Sequence, residues 1–317
     1  MMKKKIGLVG AGNIGGTLAL LAAQKKLGDV LLLDVAPGLP QGKALDLCQM
    51  GATNCFEPII SGSNNMADLK GCNVVIITAG LPRKPGMRRD DLLKTNSEII
   101  GKIALDVKKY CPDAFVIVVT NPLDAMVWHF QKVSGLPSHK VVGMAGILDS
   151  SRFEMFLAQE LNTSIQSVSA TVLGGHGDTM VPLLAHSYVG GISLESLVKQ
   201  GYLSQQRLDE IVERTRKGGG EIVSLLKNGS AFYAPAASAI LMAESYLHDL
   251  KLTLPCAAHL TGQYGVDDLY VGVPIIIGAN GVEKIIEYQL NTQEKTMLDN
   301  SVQAVQDLVN SLKNLSN

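Results

Sequence analysis

Gly10-Ala11-Gly12-Asn13-Ile14-Gly15 leaves few options for the chain around it. An apolar run from Lys4 to Val9 precedes these residues, and a helical pattern from Gly15 to Gln24 follows. In a strand-turn-helix each glycine has its own task. Gly10 permits a tight turn, Gly12 lets backbone approach a pyrophosphate, and Gly15 lets helix and strand pack closely. The helix N-terminus then offers free N–H groups and a positive dipole end to phosphate. Asp34 closes the next apolar run, 19 positions beyond Gly15. An acid there accepts hydrogen bonds from ribose hydroxyls and repels a 2′-phosphate, so the expected dinucleotide is NAD rather than NADP. The plainer alternative is a structural turn with a surface aspartate.

Further continuous apolar runs occupy Asp29 to Val35, Val74 to Thr78 and Phe115 to Thr120. Runs without alternation suit strands buried on both faces, and their rhythm with helical patterns predicts a parallel sheet covered by helices. The second half is less regular. Its spacing predicts helices over Ile147–Leu161, Ser204–Leu226 and Ala236–Leu250, and strands over Gln166–Leu173 and Tyr270–Gly278. Apolar residues at helical spacing between Val282 and Leu315 predict one or two closing helices. The expected fold class is therefore α/β: an N-terminal Rossmann doubly wound parallel sheet over residues 1–143 and a C-terminal α+β substrate domain over 144–317.

A chain of 317 residues suits two such domains. Lysine plus arginine number 28 and aspartate plus glutamate 29, so charge gives no reason to expect nucleic acid or an anionic membrane as partner. Five cysteines without a C-x-x-C pair read as reduced thiols rather than a disulfide or zinc framework, so no metal is expected. Three lysines ahead of the uncharged stretch Ile6–Ala23 imitate a leader or a short span. The glycine spacing explains that stretch better, and a cytoplasmic protein is the expectation.

Two constellations carry possible chemistry. In Gly174-Gly175-His176-Gly177-Asp178 a histidine follows a strand, flanked by glycines. Asp149 and Arg152 are three apart on a predicted helix and share a face. The aspartate could orient the imidazole while the arginine binds an anion beside it. Spacing alone equally allows a plain Asp149–Arg152 ion pair. The second constellation is Leu81-Pro82-Arg83-Lys84-Pro85-Gly86-Met87-Arg88-Arg89, at the carboxyl end of a strand, where open α/β sheets bind ligands. It reads either as a solvated basic loop or, with Arg152, as a site for a small acid with more than one negative group.

These segments taken in order resemble the lactate/malate dehydrogenase family over nearly the whole chain. Pro40-Gln41-Gly42-Lys43-Ala44-Leu45-Asp46-Leu47, Thr78-Ala79-Gly80, Val119-Thr120-Asn121-Pro122 and Leu148-Asp149-Ser150-Ser151-Arg152 strengthen the match. The resemblance implies NAD as cofactor, with Gly10 to Gly15, Asp34, Thr78, Ala79, Gly80, Asn96, Val119, Thr120 and Asn121 around it. It implies His176 as proton acceptor, Asp149 as its orienting partner, and Arg152 on the substrate's C1 carboxylate. Arg89 would polarise the reacting carbonyl, Asn121 would touch substrate as well as cofactor, and Arg83 would hold a second carboxylate. An arginine at that last position resembles the malate dehydrogenases of the lactate-dehydrogenase-like type, where lactate enzymes carry glutamine. The implied substrate is malate or oxaloacetate and the implied assembly a homotetramer, with a homodimer next. A lactate or other 2-hydroxy acid dehydrogenase is the nearest alternative, and a non-catalytic dinucleotide-binding protein a remote one. No G-x-S-x-G or H-E-x-x-H pattern points to a hydrolase or a metal enzyme.

Overall fold

The computed structural model describes residues 4–54, 57, 59–82 and 89–316, with backbone only for Arg89, Asp90 and Ser316. Strand and helix alternate first. The elements are β1 (Lys5–Val9), α1 (Asn13–Gln24), β2 (Asp29–Leu33), α2 (Leu39–Asn54), β3 (Ile60–Ser63) and β4 (Val74–Ile77), then α3 (Arg89–Tyr110), β5 (Phe115–Val118), α4 (Leu123–Ser134) and β6 (Val141–Gly143). All six strands pair in parallel, in the order β6-β5-β4-β1-β2-β3. Every residue of β4 and β5 is fully buried, as expected of strands covered on both faces. Burying each such Val, Ile or Phe side chain stabilises the fold by about 1.5–3 kcal/mol.

The chain continues through α5 (Gly146–Glu160) into five two-residue strands. These are β7 (Val168–Ser169), β8 (Val172–Leu173), β9 (Val181–Pro182), β10 (Tyr188–Val189) and β11 (Ile192–Ser193). Next come α6 (Leu194–Lys199), α7 (Gln205–Leu226) and α8 (Tyr233–His248). Finally β12 (Leu252–Thr261), β13 (Asp267–Gly278), β14 (Gly281–Ile285) and α9 (Thr292–Ser316) follow. The predicted strand over 166–173 is thus broken. Its two parts pair with different partners, β7 with β10 and β8 with β9, and between them the Ala170 amide donates to Glu154 Oε1.

The closing segment also departs from its helical expectation. Val282, Lys284 and Ile285 pair antiparallel with β13, so Gly281–Ile285 is a strand and one helix follows. The antiparallel strands β12, β13 and β14 extend the parallel sheet through β6, making one nine-stranded sheet. The C-terminal half therefore shares its sheet and most of its apolar core with the N-terminal half. A second, smaller core lies under α5, α6 and the start of α7. Cys72, Cys111 and Cys256 are buried free thiols, and burial pushes Cys72 up to about 11 and Cys111 up to about 12. Among the described residues no helix is long and apolar enough to cross a membrane, and no group of side chains could hold a metal ion.

Candidate active site

The glycine turn joins β1 to α1. Gly10 has φ +109°, which an L side chain rarely adopts, and its amide donates to Leu33 O at 2.7 Å. A Cβ on Gly15 would lie 1.9 Å from Gly10 O, so only glycine allows the helix to start this close to the strand. Gly12 caps α1 without a side-chain hydrogen bond, and a Cβ there would meet nothing within 4 Å. Asn13 and Ile14 begin the helix, and no acidic side chain occupies its first turn. The helix end is thus open and positively poled. Asp34 stands against it, with Oδ2 accepting from the Ala11 amide at 2.7 Å and Oδ1 from the Ala36 amide at 3.0 Å. An uncapped helix end beside open space, with a carboxylate at the turn, fits a dinucleotide.

Two neighbouring loops brace this turn. The Thr78 and Ala79 amides both donate to Val9 O, and Thr120 Oγ1 donates to Ala79 O at 2.7 Å. Asn96 is buried and spends its amide on backbone. Its Oδ1 accepts from the Leu81 amide, and its Nδ2 donates to Asn121 O at 2.7 Å. It ties the loop after Gly80 to the loop after Val119.

His176 lies in the loop between β8 and β9. Three successive residues of that loop are held by three separate elements. Gly174 exchanges backbone hydrogen bonds with Gly272 of β13, at 2.8 and 3.0 Å. A Cβ on Gly272 would lie 2.4 Å from Gly174 O, so the close pairing demands glycine. The Gly175 amide donates to Ser301 Oγ of α9 at 2.9 Å, and the His176 amide to Asp124 Oδ2 of α4 at 2.9 Å.

The side chains converge as the spacing allowed. His176 Nδ1 lies 2.8 Å from Asp149 Oδ2, and Arg152 Nη1 lies 3.0 Å from Asp149 Oδ1. Both expected pairings therefore occur on one carboxylate. An ionised carboxylate only accepts, so Nδ1 carries the proton and Nε2 is the nitrogen left to titrate. Burial lowers the His176 pKa, but the charge and hydrogen bond of Asp149, with the charge of Asp124, outweigh it and hold the imidazole above its ordinary value. Burial pushes Asp124 up to about 7 against the opposing pull of His176, and its Oδ1 is buried without a hydrogen-bond partner among the described residues.

A cavity of about 610 Å³ runs from Ile14 and Val119 on the dinucleotide side to Asn121, Arg152 and His176. Residues of α7 form its far wall. There Gly218 leaves room for Arg152, whose Cδ would lie 3.1 Å from a Cβ at that position. Arg83 lies outside the described residues. Arg89 opens α3, but its side chain lies outside them as well. Asp124, Ser301 and the α7 glycines were not singled out in the sequence. The one signal for them was a run of three glycines at 218–220 inside a helical pattern.

Comparison with known proteins identifies the family. The family model for the lactate/malate dehydrogenase NAD binding domain matches residues 4–143, and the model for the lactate/malate dehydrogenase alpha/beta C-terminal domain matches residues 147–315. The chain is similar to malate dehydrogenase from Cryptosporidium parvum, with 52% identity, 99% of this chain and 100% of that chain covered, and a TM-score of 0.97. It is also similar to lactate dehydrogenase from Cryptosporidium parvum in complex with lactic acid and nicotinamide adenine dinucleotide, with 48% identity, 99% of each chain covered and a TM-score of 0.96. Malate dehydrogenase from Picrophilus torridus matches at 44% identity, 99% and 98% coverage and a TM-score of 0.94. The chain belongs to the lactate/malate dehydrogenase family and is an NAD-dependent hydroxy acid dehydrogenase.

Proposed function

We propose that this enzyme oxidises (S)-malate to oxaloacetate, reversibly, with His176 as the proton acceptor. The observation that carries the chemistry is the His176–Asp149–Arg152 cluster in a cavity that reaches the dinucleotide turn. Arg152 keeps guanidinium donors beyond the one given to Asp149, and these suit the C1 carboxylate of a hydroxy acid. Neutral His176 takes the C2 hydroxyl proton at Nε2, and Asp149 stabilises the imidazolium that forms. The dinucleotide, when bound, supplies the hydride acceptor. In the reverse direction protonated His176 donates to the oxaloacetate carbonyl, which Arg89 polarises. The identity of residue 83 supports malate, because an arginine there gives the distal carboxylate a partner. The family resemblance carries a homotetramer, with a homodimer next.

The second reading is an L-lactate dehydrogenase, supported by the likeness to the lactate enzyme. NADH oxidation with oxaloacetate and with pyruvate, side by side, separates the two. Strong turnover of oxaloacetate with little of pyruvate is expected, and a preference for pyruvate would overturn the malate assignment.

Asp124 adds a pH dependence. Its charge raises the His176 pKa, and it carries that charge mainly above about pH 7. Asp124→Asn retains an oxygen for the His176 amide and removes the charge. The His176 pKa should then fall, so the imidazolium needed for oxo acid reduction becomes scarcer at pH 8. At pH 6 Asp124 is largely protonated already, and the variant should match the wild type. The expected result is a loss of roughly 3- to 10-fold in reduction at pH 8 and little change at pH 6. A loss equal at both pH values would refute this.

A further inference from the structure

The segment Pro40 to Leu47 stands apart from the chemistry described so far, yet it reaches the dinucleotide turn. Lys43, on the first turns of α2, donates from Nζ to Gly12 O at 2.7 Å. Its stem lies over α1, with Cδ, Cε and Nζ all within 4 Å of where a Cβ on Gly16 would stand. Gly16 is the glycine of this cluster that the G-x-G-x-x-G pattern leaves unexplained, and the lysine occupies the space it leaves. The base of α2 is itself fixed. A Cβ on Gly62 of β3 would come within 2.2 Å of the Pro40 backbone, and Gln41 Nε2 donates to Asn64 Oδ1 at 2.8 Å. Asn64 Nδ2 in turn donates to Asp34 O and Ala36 O, at 2.7 and 3.0 Å. The turn is therefore enclosed by a ring of contacts from Ala11 through Asp34, Asn64, Gln41 and Lys43 back to Gly12.

The ring places unlike charges on its two arms. The carboxylate of Asp34 faces the Ala11 amide, and the ammonium of Lys43 sits at the Gly12 carbonyl, at the N-cap of α1. Among the described residues only one of the three ammonium donors is used, and no carboxylate pairs with it. We propose that Lys43 is a phosphate-binding residue of the dinucleotide site, adding a full positive charge to the helix end that receives the pyrophosphate. Asp34 selects the ribose side and Lys43 the diphosphate side. The proposal rests on the dinucleotide site and not on which acid is turned over.

The test compares ligands that differ in phosphate. NADH binding is followed by the fluorescence of the bound nicotinamide, and ADP-ribose and adenosine are measured by competition. Lys43→Met should weaken NADH and ADP-ribose on the order of tenfold, the size of one lost charge-assisted hydrogen bond in a partly exposed setting. Adenosine should bind as before, and NADH affinity should depend less steeply on salt. Lys43→Gln, which keeps a donor but not the charge, should behave like the methionine variant, and Lys43→Arg should recover most of the affinity. Equal weakening of adenosine and ADP-ribose would overturn the proposal in favour of a lysine that only props the turn. Wild-type affinity in Lys43→Gln would overturn it as well. Failure of the wild-type chain to bind NADH would instead remove the dinucleotide site, and the role of Lys43 with it.

Discussion

Asp149→Asn should lower turnover by about 10²- to 10⁴-fold while NADH affinity stays within about twofold. The size follows from what one carboxylate does here. It accepts from His176 Nδ1 at 2.8 Å, which sets the tautomer, and its charge keeps a buried imidazole above its ordinary pKa. An asparagine can present its NH₂ to the ring and favour the wrong tautomer. Without the charge, burial dominates and the His176 pKa falls. Oxo acid reduction needs the imidazolium, so the loss in that direction should deepen as pH rises. Oxidation needs the neutral ring, so it should suffer less from the pKa change and mainly from lost stabilisation of the product imidazolium. Arg152 keeps an oxygen acceptor but loses the ionic part of its pairing, which should appear as a modest change in KM for the acid. NADH binding is measured separately, because Asp149 is remote in sequence and contact from Gly10, Gly12 and Asp34. Unchanged turnover would dismiss Asp149 as the orienting residue.

Arg83→Gln should shift the oxaloacetate-to-pyruvate ratio of kcat/KM by up to about 10⁴-fold toward pyruvate. Pyruvate has a methyl group where oxaloacetate has a carboxylate, so it offers no partner to the arginine that the malate reading assigns to the distal carboxylate. Losing one such charge-assisted hydrogen bond costs about 1.5–3 kcal/mol, and a site built around a polar partner can reject its absence more strongly still. Glutamine removes the charge that makes the methyl group costly. An unchanged ratio would show that other residues around the cavity set specificity.

What could be read from the sequence was local. The Gly10–Gly15 turn, Asp34 and the Asp149–Arg152 spacing lie within single supersecondary units, where short-range sterics and helical period decide the geometry. The supports of His176 were not legible, because Asp124, Gly272 and Ser301 stand far from it along the chain and mean nothing until the sheet brings them together. The strand β12 was missed because Pro255 and its run of small residues weaken the strand pattern. Val282–Ile285 falls within a closing segment whose helical spacing is carried further along, by Val302, Val305, Leu308, Val309 and Leu312, and β13 offers this first stretch a ladder instead. The joining of the two halves was likewise illegible, because β12 to β14 lengthen the sheet of the first half. Edge pairing of this kind depends on which backbone is free, and side-chain pattern does not record that.

The loop that carries His176 has a consequence for how the molecule comes into being. The Gly175 amide is satisfied by a serine 126 residues further along the chain. A polypeptide emerging from its N-terminus lays down the glycine turn and its brace by Ala79, but the histidine loop cannot take its final path until synthesis has passed Ser301. The nascent chain thus carries its nucleotide-recognition elements long before its proton-transfer group is in place. Chemical competence arrives late, together with the last long-range contacts of the fold.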